Sequence, residues 1–524
     1  MYLRSIPKLL VIDLLILCFS IASAAQALSG ADIDALVERS MKAFDVPGIS
    51  VGVIKDGSVI HSKGYGVRSL GSMEKMDEDT LVCIGSNTKA FTTAALGILV
   101  DEGKLKWDDK VRAYIPEFTL YNPYVSEEFT IRDLLTHRSG MGLGAGDLMI
   151  FPDGTDFTTK EIIYNLRFLK QTSSFRSKFD YDNLLYLVAG DVIERVTGKS
   201  WEAFVEERIM RPLGMSASRS TYERITDRSN TTDPHAEVNG KVQVIRRNPL
   251  KVGAAAGAIY SNITDMTKWM QMLLANGKYG EGKSKTLISE NVHRELWSPQ
   301  TILPVRDPGP YNTHFSAYGL GFGLSDVAGY KQVSHTGGIE GMVTQVTMIP
   351  EIGLGIVVLT NQMEGLAFVS ITNQIKDSYL GKSGKDWVAM LSGQRKEAIA
   401  RAKTITDGVW SEINKVRQNG RNNTDMNLFV GKYNDVWLGE VTISVKNGKP
   451  WFDAKRSPQL TGEMFPYKGN TFVVKWADIA MPADAFVNFT LDEEGKASGF
   501  TMRAVSPLTD FSFDFHDLNF RRAK

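Results

Sequence analysis

Apolar positions recur every three or four residues from Leu28 to Arg39, which predicts a helix. Two alternating runs, Gly48 to Ile54 and Val59 to Val67, predict strands joined at Lys55-Asp56-Gly57-Ser58, a strong hairpin signal. From Ser86 to about Gly277 the pattern is mostly helical and includes an amphipathic stretch from Leu184 to Thr197. Strand patterns return at Tyr330 to Ser334, Gly341 to Ile349 and Gly353 to Thr360, followed by a helix from Leu366 to Tyr379. Strands at both ends with helices between predict an α/β (α+β) unit, in which helices flank one antiparallel sheet and a helical subdomain is inserted.

The pattern then changes. A polar break at Gly381-Lys382-Ser383-Gly384-Lys385 leads into a charged helix, about Asp386 to Arg417, and a second polar stretch runs from Gln418 to Asp425. Short strands follow at 441–445, 471–475, 485–491 and 499–504, with turn signals such as Asn447-Gly448 between them. They predict a small all-β module, barrel or sandwich. The organisation read here is a leader at 1–27, a mixed unit at 28–384, a helical linker at 385–425 and a β-module at 426–524. The composition shift further predicts that the module's core is independent of any chemistry upstream.

A chain of 524 residues predicts two or three domains, and an apolar fraction of 43% supports large cores. Lysine plus arginine and aspartate plus glutamate both number 60, which gives no charge-based case for nucleic acid or an anionic membrane. Arg4 and Lys8, the apolar run Leu9 to Phe19 and the small residues from Ala22 to Ala27 read as a cleavable secretory signal. The run is too short for a comfortable span, and an uncleaved N-terminal anchor is the alternative reading. The expected location is therefore the periplasm or the exterior. Of two cysteines, Cys18 leaves with the leader, so Cys83 has no disulfide partner and reads as a small buried hydrophobe.

Ser86-Asn87-Thr88-Lys89 stands where a strand-like segment, Thr80 to Gly85, meets a helix pattern running to about Glu102. A serine at a helix start with a lysine three residues on places hydroxyl and amine on one face. A serine hydroxyl needs a base within hydrogen-bond reach, and the N–H groups of a helix start suit a developing oxyanion. Ser5-Ile6-Pro7-Lys8 and Ser72-Met73-Glu74-Lys75 share the spacing but lack the context. Tyr181-Asp182-Asn183 precedes the Leu184–Thr197 helix pattern, with Tyr260-Ser261-Asn262 as a decoy. A tyrosine serves as base when an adjacent ammonium stabilises its phenolate. His335-Thr336-Gly337-Gly338 ends a predicted strand, and its glycines let backbone N–H groups approach a carbonyl closely. None of the seven histidines pair at metal-ligand spacing and HExxH is missing, so neither a metal nor another cofactor is expected.

These three motifs, in this order, resemble the serine β-lactamase and penicillin-binding-protein superfamily, class C β-lactamases and their peptidase and esterase relatives above all. The likeness extends to Leu134-Leu135-Thr136-His137-Arg138-Ser139-Gly140-Met141, to Gly198-Lys199-Ser200 with Pro212-Leu213-Gly214-Met215, and to Tyr318–Gly323 and Gly337–Gly341. The segment from Phe429 to Tyr433 resembles the start of the lipocalin-like domain appended to many such hydrolases. The resemblance implies that Ser86 is acylated, that Lys89 and Tyr181 share base and acid duties, and that Asn183 holds Lys89 and the substrate amide. It assigns the oxyanion hole to the N–H groups of Ser86 and Gly338, with His335 and Gly337 in the same substrate-binding edge.

The superfamily usually carries lysine where His335 stands, and histidine is mostly neutral near pH 7. The resemblance thus implies a D-amino-acid peptidase, amidase or esterase acting on a small-molecule or peptide substrate. A β-lactamase or D-Ala-D-Ala carboxypeptidase is the alternative, and a catalytically idle binding protein the third reading. Oligomeric state is left open.

Overall fold

The computed structural model describes residues 27–418 and 425–523. The leader expected at 1–27 therefore lies almost wholly outside the described residues. Among those described, no helix is long and apolar enough to cross a membrane.

One eight-stranded antiparallel sheet is built from both ends of the first unit. The strand Gly48–Lys55 pairs with Ser58–Gly66 on one side and with Leu354–Thr360 on the other. The sheet continues through Met342–Ile349, Tyr330–Ile339, Gly323–Val327, Ser316–Tyr318 and Thr301–Leu303. The hairpin at Lys55–Ser58 forms as predicted because Asp56 and Gly57 both adopt positive φ, +51° and +81°. Side chains alternate between faces. Ile356 and Val358 join one core with the helices Gly30–Phe44 and Gly365–Tyr379, while Val357 and Leu359 join the core of the helical subdomain.

The first helix begins at Gly30, where Ser29 accepts from the Asp32 N–H and the Asp32 carboxylate accepts from the Ser29 N–H. It runs to Phe44, beyond the predicted Arg39, ending where Asp45 takes a left-handed conformation. The charged helix is Trp387–Gln418, 32 residues and roughly 48 Å long. It is buried at both ends. Trp387, Val388 and Leu391 pack into the core beside the sheet, while Val409 and Ile413 pack on Val473, Phe486 and Val505.

The C-terminal module is a closed barrel of eight antiparallel strands from Gly431–Asp435 to Asn519–Arg522. Four of these strands lie outside the predicted ones: Gly431–Asp435, Lys449–Ala454, Thr461–Lys468 and Asn519–Arg522. Pro450, Pro466 and Gly462 weaken the strand pattern of two of them. The barrel is not remote from the first unit. Arg456 pairs with Asp156 and Glu161, Arg246 with Asp478, and the Asn165 amide donates to the Trp437 carbonyl.

Candidate active site

Ser86 lies in the 3-10 turn Gly85–Asn87, directly ahead of the helix Thr88–Asp101. The turn is held against the strand Tyr330–Ile339, which runs past the predicted end at Ser334 and carries His335–Gly338 inside it. Glycine is required at this contact. A Cβ on Gly337 would stand 1.8 Å from the Ile84 carbonyl oxygen, and one on Gly85 would stand 2.5 Å from the Gly338 nitrogen. Gly85 also has φ +52°. The Gly337–Gly338 backbone thus lies flush against the Ser86 turn.

The Lys89 side chain is fully buried. Its Nζ lies 3.0 Å from Ser86 Oγ, 2.7 Å from Asn183 Oδ1 and 3.0 Å from the Ala256 carbonyl oxygen. Burial pushes its pKa down to about 7, against the pull of the Asp147 and Asp182 carboxylates. Asn183 donates its Nδ2 to Asp147 Oδ2 at 2.8 Å. Tyr181 leans over the lysine, with Nζ 4.8 Å from its ring centre, and packs at a 32° tilt on the His137 ring, centroids 4.2 Å apart. The Tyr181 hydroxyl is buried and faces Ser86. Burial pushes it well above the usual phenol range, so it is held as O–H.

His335 accepts from the Tyr318 hydroxyl through Nε2 at 2.8 Å, and its Nδ1 faces the Thr336 carbonyl at 2.6 Å. A carbonyl only accepts, so Nδ1 carries the hydrogen. Burial, and then the Lys89 charge, depress His335 to about 4, which keeps the ring neutral at pH 7. The decoys have other uses. The Tyr260 hydroxyl accepts from Arg247, and Asn262 caps the helix Ile263–Leu274. Cys83 is buried, with its thiol pushed up to about 12.

Ser86, Tyr181, Asn183, His335, Gly337 and Gly338 all line one cavity of about 480 Å³, with Lys89 beneath Ser86. Most of its remaining wall is apolar, and one side comes from the barrel through Asp510, Phe511, Ser512 and Phe513. Phe511 meets Tyr181 edge-on at 5.7 Å. Asp514, fully buried, accepts from the N–H groups of Gly146 and Leu148, at 2.7 and 3.2 Å. That 3-10 turn carries Asp147 and, through it, Asn183. Sequence reasoning missed Asp147, Phe511 and Asp514, and it named Tyr318 only within a matching segment, without a role. Asp182 stood inside a recognised motif; its buried carboxylate accepts from the Leu185 N–H and is pushed up to about 7 by burial.

A serine at a turn, a buried amine beside it and a glycine strand edge facing both are thus brought together at one cavity. Residues 33–379 match the Beta-lactamase family, and residues 418–522 match a domain of unknown function, DUF3471. The chain belongs to the Beta-lactamase family. It is 31% identical over 395 residues to "Unguisins hydrolase ungD'" of Aspergillus campestris, covering 71% of this chain and 70% of that protein. It is 25% identical over 341 residues to "Protein flp" of Staphylococcus aureus, covering 63% of this chain and 62% of that one, so the match spans less than two thirds of the latter. Among solved structures, the octameric penicillin-binding protein homologue from Pyrococcus abyssi shares the fold, with a TM-score of 0.61 at 21% identity over 94% of this chain and all of that one.

Proposed function

We propose that this protein is an exported serine hydrolase that opens amide or ester bonds through an acyl-enzyme on Ser86, in the manner of a D-amino-acid peptidase, amidase or esterase. The observation that carries the reading is the set of three partners around Lys89 Nζ. A neutral amine has two N–H donors and one lone pair. Asn183 Oδ1 and the Ala256 carbonyl accept the two hydrogens, which leaves the lone pair for the Ser86 O–H.

The Ser86 proton passes to Lys89 as Oγ bonds to the substrate carbonyl carbon. The oxyanion forms against the N–H groups of Ser86 and Gly338. As the C–N or C–O bond breaks, the leaving group takes the Tyr181 proton, and the phenolate is restored from the Lys89 ammonium. Water then repeats the sequence on the ester at Ser86 and releases the acid.

Treatment with a neutral fluorophosphonate tests the nucleophile. Peptide mass spectrometry should find the adduct on Ser86; an adduct on Ser72 or Cys83 instead refutes the assignment. The base has its own signature. Lys89 is competent only when neutral, so kcat/KM for an uncharged ester should rise with pH through a midpoint near 7. A limb near the ordinary lysine value of about 10.4 would remove Lys89 from the role.

A further inference from the structure

We infer that Glu340 makes the cavity selective for acyl donors bearing a protonated amine next to the bond that is cut. The inference rests on the Ser86 reading and names the substrate class of that site. Among the described residues lining the cavity there is no lysine or arginine, whereas Glu340 and Asp510 both face it. Lys89 lies beneath Ser86 with its hydrogens committed, and the His335 ring is neutral. Burial raises Glu340 to about 7, so a substrate carboxylate finds no cation in the cavity, whereas an ammonium would draw Glu340 into its ionised form.

Glu340 is mounted for recognition. It sits in the two-residue turn of the hairpin Tyr330–Ile339 and Met342–Ile349, two residues beyond Gly338. Gly341 fixes that turn with φ +82°, and a Cβ there would stand 2.4 Å from Pro234. Asn248 Nδ2 lies 3.1 and 2.9 Å from the two carboxylate oxygens. Asn248 is itself held, because its Oδ1 accepts from the Leu250 N–H at 2.8 Å. A carboxylate accepts about four hydrogen bonds, so Asn248 orients the group and leaves acceptor sites for an ammonium.

A second cavity, of about 340 Å³, adjoins the first and shares Glu340, Asp510, Met363 and Phe513 with it. Its one guanidinium, Arg246, is held by Asp153 and Asp478 at 2.7 and 3.1 Å. Glu340 thus stands at the junction of a cleft whose cation is already paired.

The test uses the full-length protein and three phosphonate diphenyl esters: an aminoalkyl probe with a free amine, its N-acetyl form and its N-succinyl form. Each phosphonylates serine with loss of phenol, and the readout is the second-order rate of Ser86 modification. The free amine should react about 10- to 100-fold faster than the acetyl probe, the range expected of one hydrogen bond to a charged group, and the succinyl probe slowest. In Glu340→Gln the ratio of amine to acetyl rates should collapse towards one, and Glu340→Asp should restore part of it. A ratio taken within one preparation is independent of the folded fraction. Equal rates in the wild type, or a ratio that survives Glu340→Gln, overturn the inference while leaving the Ser86 reading intact. No Ser86 adduct from any of the three overturns both.

Discussion

Replacing Lys89 with methionine should lower kcat/KM for a neutral ester by about 10²–10⁴-fold, the usual contribution of a general base. Methionine keeps the apolar stem in a site where the lysine is fully buried, so the change removes the amine with little loss of packing. Tyr181→Phe should fall by a similar factor, because the lost hydroxyl is the proton donor facing Ser86. Tyr260→Phe is the control, since that hydroxyl only accepts from Arg247 and does not line the cavity. Steady-state kinetics on all three, with circular dichroism to verify folding, decide the matter. A fully active Lys89→Met variant would end the base assignment.

The second large effect comes from the other end of the chain. Asp514→Ala should cost about 2–4 kcal/mol of stability, because two buried N–H groups, of Gly146 and Leu148, lose their acceptor. It should also lower kcat, since the turn it caps carries Asp147, which holds Asn183, which holds Lys89. Ending the chain after Gln418 removes that cap together with Phe511 and Phe513, and Ser86 labelling should fall with it. Denaturant unfolding and phosphonate labelling read the two effects separately. Full labelling by the truncated chain would return the barrel to the independent role that composition predicts.

Where structure is encoded locally, the sequence was readable. The Asp-Gly turn, the alternating strands and the amphipathic Leu184–Thr197 helix each follow from neighbouring residues, and each forms. The motif residues were legible as types, because a hydroxyl, an amine and a glycine edge announce chemistry by themselves. Their environment was not. Asp147 carries no local signal, and its importance comes from a hydrogen bond to a residue 36 positions away. The Asp514 contacts with Gly146 and Leu148 span 368 and 366 positions, through a barrel loop to which the sequence pattern assigns no element. The composition shift after residue 425 falls just ahead of the closed barrel but says nothing of which face docks where, and the barrel's apolar residues join the same cluster as those of the helical subdomain.

The pairing of Gly48–Lys55 with Leu354–Thr360 has a consequence for how the molecule comes into being. Ile49 stands opposite Thr360, so the sheet joins residues made far apart in time. At about 5–20 residues per second, the partner of Gly48–Lys55 is synthesised roughly 15–60 s later. Until then the nascent chain offers an apolar strand with an open edge, and the Ser86 turn has no glycine strand to lie against. Such high contact order makes folding slow and late. Fragments ending before residue 330 should therefore be inert and adhesive, whereas chemistry begins only once both ends of the first unit have met.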